Sequence, residues 1–240
     1  MPTPTDPLAP LLSLEGVPSA YAAARDGIDV LLRDRGLRRT SPDLTAESLL
    51  LGAHASAVLE GSASTLDEVR AGEGDEIARD AVRLSTQALS VAPLLSSAPL
   101  QAFARLHALA ATGSVEEARL GRPRDPESAA RLRQIADLLL GQTRAPALLV
   151  AAIVHADLAT AAPFASHNGL VARAAERAVL VARGVDEKSL TVPEAGHLAF
   201  RGAYESNLRG YRDGGQAGLH AWLLYAPEAF TKGAEASPLR

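Results

Sequence analysis

Two stretches of this chain place residue types at spacings that could do chemistry. The first is Ala162-Pro163-Phe164-Ala165-Ser166-His167-Asn168-Gly169-Leu170-Val171-Ala172-Arg173. It lies between two helical patterns, so Asn168–Gly169 falls where a loop enters a helix. The first N–H groups of a helix have no intrahelical partner, which makes such a turn a ready anion site. Arg173 follows one turn later, on a face able to reach the same anion. A plain helix cap at Asn168 and a solvated charge at Arg173 account for the same residues. The second stretch, Ser56-Ala57-Val58-Leu59-Glu60-Gly61, sets a hydroxyl and a carboxylate at the end of a helical pattern. Taken alone, Gly61 reads as the residue that follows a helix C-terminus.

The elements that must position these residues are helices. The apolar fraction is 47%, drawn largely from Ala, Leu and Val with few aromatics. Ala and Leu lose little side-chain entropy in a helix, so composition favours an α-rich fold. Helical periodicity predicts helices over 17–33, 45–59, 75–92, 99–111, 127–140, 145–160, 167–183, 193–212 and 216–233. Thr45 is the expected N-cap of the second, and Pro93 the expected stop of the third. The span 145–160 is apolar nearly all round, as a buried central helix would be. Gly121 and Pro123 break the polar connection 112–126, which is expected to be a loop or a short hairpin. The tail after Gly233 is expected to fray. No linker separates two units, so the expectation is one all-α domain over 1–240, with an N-terminal extension at 1–15.

The 162–173 stretch resembles the signature of the Fic family, His-Pro-Phe-x-(Asp/Glu)-Gly-Asn-Gly-Arg-x-x-Arg. Pro163, Phe164, Asn168, Gly169 and Arg173 match it in register. Ala162 stands at the family's His, Ser166 at its Asp/Glu, His167 at its first Gly and Leu170 at its first Arg. Upstream, Ile153 to Leu158 resembles the helix that leads into the motif. Ala104 to Ala110, followed by Gly121 to Arg124, resembles the family's preceding helix and flap. The resemblance implies an all-α, Fic-like helical bundle with a small loop or hairpin flap that registers an extended target segment. It maps 45–61 to an inhibitory helix, 99–183 to the Fic core and 193–233 to C-terminal helices.

Family members of this type carry an inhibitory motif, (Ser/Thr)-x-x-x-Glu-(Gly/Asn), matched here by Ser56, Glu60 and Gly61. Its Glu pairs with the last Arg of the signature and blocks the nucleotide γ-phosphate. Both partners, Glu60 and Arg173, are present. The resemblance thus implies phosphate or nucleotide binding at Asn168, Gly169 and Arg173, with Pro163 and Phe164 as structural members of the motif.

The substitutions remove most of the family's chemistry. The signature His takes a proton from a protein hydroxyl that attacks the α-phosphate of ATP. Ala162 has no titratable group and forfeits a contribution of typically ~10²–10⁴-fold. Ser166 is a weak Mg²⁺ ligand where the family has a carboxylate, so ATP with weakly held Mg²⁺ is the implied cofactor. His167 adds a Cβ and a ring where the family uses glycine for close approach to phosphate. Leu170 deletes a cation. His167 as a displaced base is the alternative that keeps AMP transfer alive; a protein-interaction or dimerisation module is a further one.

The remaining histidines, at 54, 107, 155, 197 and 220, show no metal-ligand spacing, and no metal site is expected from them. His107 and His155 fall on apolar helical faces, where an imidazole is usually a hydrogen-bonded core residue. There are no cysteines, which excludes thiolate chemistry and Cys-ligated zinc. The net charge of −4 with mixed signs argues against nucleic acid as a partner. The N-terminus lacks signal-peptide features and no apolar run spans a bilayer, so the expectation is a cytoplasmic chain off the membrane. The partners implied are a protein target and, as a further option, a second copy of the chain.

Overall fold

The structure, a computed structural model, describes residues 6–33 and 42–239. In chain order its α-helices are α1 (Val17–Leu32), α2 (Pro42–Leu59), α3 (Leu66–Ala71), α4 (Glu76–Leu95) and α5 (Pro99–Ala111). After them come α6 (Pro126–Leu140), α7 (Ala147–Ala161), α8 (Asn168–Ala182), α9 (Pro193–Ala199), α10 (Arg201–Asp213) and α11 (Gly215–Glu235). Local chemistry sets most of the starts. Thr65 and Glu68 form a reciprocal capping box on α3. Asp75 and Asp125 accept the first free N–H groups of α4 and α6. Pro99, Pro126 and Pro193 open α5, α6 and α9, where a missing N–H costs nothing.

The centre of the fold is α7, whose residues from Leu148 to Leu158 are all buried. It packs along α8; α8 packs on α4, and α4 in turn on α2 and α5. On the other side α11 gathers α1, α9 and α10. One continuous apolar cluster joins these layers, with Phe103, Phe164, Trp222 and Phe230 among its fully buried side chains. The fold is an all-α helical bundle, and among the described residues no helix is long and apolar enough to cross a membrane.

Several expectations are corrected. Helix α2 begins at Pro42, and Thr45 lies inside it, donating its hydroxyl to the Lys188 carbonyl. Helix α4 continues through Pro93 to Leu95, because a proline in the last turn removes only one intrahelical bond. The span 193–212 divides into α9 and α10 at Phe200, whose φ of −112° and ψ of 33° leave the helical region. The 112–126 connection, expected as a loop or a short hairpin, is the loop of those two. It holds a single bridge between Thr112 and Val115 and one 3-10 turn at Glu117–Arg119. Nor does the chain fray at Gly233: α11 reaches Glu235, and Ser237 is buried. Residues 1–5 of the expected N-terminal extension lie outside the described residues, while Ala9–Ser13 form a 3-10 turn.

Candidate functional site

The loop between α7 and α8 begins and ends on left-handed residues. Ala162 closes α7 at φ 42° and His167 precedes α8 at φ 58°. Between them, Phe164 is buried and stacks flat on the His107 ring, with centroids 4.3 Å apart and planes 5° from parallel. Asn168 braces the loop from inside the first turn of α8. Its Oδ1 accepts from the Phe164 N–H at 2.9 Å, and its Nδ2 donates to the Phe164 carbonyl at 3.0 Å. Asn168 is therefore a clamp on the loop, not the helix cap. His167 occupies the cap position, and its side chain makes no capping bond.

An anion already lies against this helix start. The Oε1 of Glu60 sits 2.0 Å from where a Cβ at Gly169 would be, so only glycine leaves it room. The same oxygen accepts from Arg173 Nη2 at 2.6 Å. Arg173 is 2% exposed; its Nε donates to Ser56 Oγ at 2.7 Å, Nη2 to the Ser56 carbonyl and Nη1 to Tyr204 Oη at 3.1 Å. The Glu60 side chain remains 33% exposed, so the pair is buried on one side only.

The local fold puts Glu60 there by ending α2 on it. The Gly61 N–H returns to the Val58 carbonyl, the Ser62 N–H to the Ala57 carbonyl, and Gly61 takes a φ of 98°. This pair of bonds is a Schellman closure, for which a left-handed glycine is the usual residue. Gly61 is thus a helix terminator and also what aims Glu60 across at α8. Both sequence readings of 56–61 describe the same atoms.

His167 is held in place. Its Nε2 lies 2.9 Å from Asp80 Oδ2 and its Nδ1 2.6 Å from Ser166 Oγ. Asp80, on α4, also takes Arg83 and the Ser114 hydroxyl. Leu170 is buried beside Ala53, Leu84 and Ala88, so position 170 belongs to the core. Pro163 is buried, and its carbonyl accepts from the Arg124 N–H at 2.9 Å. Gly121, at φ 69°, donates its N–H to His107 Nδ1 at 2.9 Å. The later part of the 112–126 connection is thus tied directly to Pro163 and, through the His107 ring that stacks on Phe164, to the motif loop a second time. Next to that junction a cleft of about 510 Å³ opens between Arg124, Ser128, Arg131, Thr160, Tyr211 and Arg212.

Behind the loop lies a polar cluster that sequence spacing did not reveal. His155 of α7, Glu176 of α8 and His197 of α9 are each 0% exposed. Their ligand-type atoms lie within 4.8 Å of one another. Tyr204 Oη is 2.9 Å from His155 Nε2 and Tyr225 Oη is 2.9 Å from His197 Nδ1. Tyr204 is also the group that touches Arg173, so the cluster abuts the Glu60–Arg173 pair. These three residues are 21 positions apart in each step of the sequence, and no local pattern links them.

Comparison with known proteins agrees at the level of architecture. No family model matches the sequence, and no curated protein does. Among solved structures, a Fic family protein from Desulfovibrio desulfuricans G20 superposes with a TM-score of 0.76 at 17% identity. The alignment covers 93% of this chain and 74% of that one. A fragment of Fic-1 from C. elegans gives a TM-score of 0.70 at 19% identity, covering 95% and 74% respectively. A variant of the same fragment gives 0.65 at 18%, covering 89% and 70%. At such identities the likeness is one of fold: this chain has the all-α architecture of the Fic proteins.

Proposed function

We propose that this chain is a Fic-fold protein that has lost the family's AMP transfer and keeps a phosphate-binding turn latched by Glu60. The observation that carries this reading is the state of the loop's two candidate base positions. Position 162 is alanine, and both ring nitrogens of His167 are engaged, by Asp80 and by Ser166. A general base must reach the proton it abstracts, and neither position offers a free basic atom.

The turn itself keeps what an anion needs. The first N–H groups of α8 have no side-chain cap, Gly169 leaves open space above the backbone, and Arg173 supplies a buried cation. Glu60 fills that space, and its partial exposure means that it can leave without unburying Arg173 from Ser56 and Tyr204. A nucleotide phosphate would take the Glu60 position on Arg173. Mg²⁺ does not fit the loop well, because Ser166 is neutral and its hydroxyl is already bonded to His167. No step through a metal is therefore assigned.

A second reading keeps the transfer and uses His167, which Asp80 orients as a carboxylate orients a catalytic imidazole. Two experiments test these readings. Calorimetric titration of ATP, with and without Mg²⁺, is expected to show binding for Glu60→Gly and little for the parent chain. Incubation of Glu60→Gly with labelled ATP, UTP or CDP-choline and a cell lysate is expected to leave every protein unlabelled. Label on a protein would establish the second reading; no ATP binding by Glu60→Gly would remove the nucleotide from both.

A further inference from the structure

We propose that His155, Glu176 and His197 form a buried site for a first-row divalent transition-metal ion of the Zn²⁺ class. The site is separate from the phosphate-binding turn and does not depend on the activity proposed for it.

Charge balance points to a cation. Two buried arginines lie near the cluster, and each is closed off by its own carboxylate: Arg173 by Glu60, and Arg177 by Glu194 at 2.5 Å. The sealed carboxylate of Glu176 faces imidazoles instead: His197 Nε2 hydrogen-bonds one of its oxygens and His155 Nδ1 lies 3.0 Å from the other. A charge sealed from water needs a counter-charge or a metal. An ionised carboxylate and a neutral imidazole are the forms that bind metal.

Geometry points the same way. His155 Nδ1 and Glu176 Oε1 face each other at 3.0 Å without forming a hydrogen bond. Both atoms are sealed from solvent, and neither has a hydrogen-bond partner. Two ligands of one tetrahedral ion with bonds of about 2.0–2.1 Å stand about 3.3 Å apart, close to this separation. His197 Nε2 faces the other carboxylate oxygen, Oε2, at 2.9 Å. The outward nitrogens of both rings are held by Tyr204 and Tyr225, which turns His155 Nδ1 and His197 Nε2 inward. Such outer partners are the usual means of orienting histidine ligands.

Two imidazoles and one carboxylate suit zinc, cobalt or nickel better than magnesium or calcium, which take oxygen donors. Trp222 and the two tyrosines pack around the rings, so no substrate path reaches the centre and the ion's role is structural. It would pin α7, α8 and α9 together directly behind Arg173.

The test uses the full chain without a histidine tag. Elemental analysis of protein purified from zinc-supplemented medium is expected to find one zinc per chain. Trace amounts are expected in Glu176→Gln and His197→Asn. Because those variants could misfold, a second measurement rests on the parent chain alone. Protein unfolded with chelator and refolded with Co²⁺ should show the visible absorption of tetrahedral cobalt. It should also melt roughly 5 °C or more above protein refolded with chelator. A parent chain that carries no stoichiometric metal and melts alike with and without Co²⁺ or Zn²⁺ overturns the proposal; the counter-charge of Glu176 is then a proton on an imidazole.

Discussion

The Oε1 of Glu60 lies 2.6 Å from Arg173 Nη2 and in the space that a side chain at Gly169 would need. One carboxylate oxygen thus reads two features of α8 at once, the cation one turn in and the bare backbone at its start. The pair joins the end of α2 to the beginning of α8 across 113 residues of sequence. Its two members are unequal: Arg173 is sealed in the core, while a third of the Glu60 side chain meets solvent.

That inequality predicts unequal mutants. Arg173→Ala empties a fully buried site and strands the hydroxyls of Ser56 and Tyr204, so it should cost about 3–5 kcal/mol, as for a buried pair broken on one side. Glu60→Gln leaves Arg173 with its other partners and should cost roughly 1 kcal/mol. Urea denaturation of both variants measures the difference. Equal and small losses would mean that the pair contributes no more than two surface charges.

Gly169→Ala tests the contact rather than the charge. A Cβ at that position would come 2.0 Å from Glu60 Oε1, far inside van der Waals contact. Alanine is otherwise the better helix former by about 1 kcal/mol, which offsets the small shift asked of Arg173 Nη1, 3.2 Å from the new Cβ, once Glu60 is absent. In the parent chain Gly169→Ala is expected to lower stability by about 1–3 kcal/mol. In the Glu60→Gly background it is expected to be neutral or stabilising. A double-mutant cycle between these positions reads the coupling directly, and additive effects would place Glu60 elsewhere in solution.

His107 makes part of the fold's stability depend on pH. Burial first, and nearby His167 second, hold its imidazole down at about 4 against an ordinary value of 6.5. Because Nδ1 accepts the Gly121 N–H, the folded protein needs this ring neutral. The folded value is depressed, so the contribution is complete above about pH 6.5 and is lost as pH falls toward about 4. The shift corresponds to roughly 3 kcal/mol across that window. His107→Asn, which can keep an acceptor near Gly121, should flatten the stability profile between those limits. If parent and variant lose the same stability from pH 7 to 4.5, the slope has another source.

The helices were legible because their causes are local. Runs of Ala and Leu at helical spacing, capping residues such as Asp75 and Asp125, and prolines at helix starts act within a few residues of where they stand. The resemblance of the 162–173 loop to a known signature was legible for the same reason, as was the candidate pairing of Glu60 with Arg173. Errors fell where long-range contact overrides local preference. Thr45 is an excellent cap by type, yet it is spent on the Lys188 carbonyl. Pro93 marks a helix end only to within its final turn.

What the chain alone determined, then, is a set of helices and a loop that resembles the Fic signature, with alanine where the resembled family has its base. What only the tertiary structure decided is who faces whom. It ties His167 to Asp80 across 87 residues and leaves no ring nitrogen free. It makes Asn168 a clamp on Phe164 where a cap was equally plausible from sequence. It also gathers His155, Glu176 and His197 from three helices into one sealed cluster. The physical reason is common to all three. A helix sets which face a side chain occupies, but the partner on that face comes from packing between helices, and no periodicity along the chain records it.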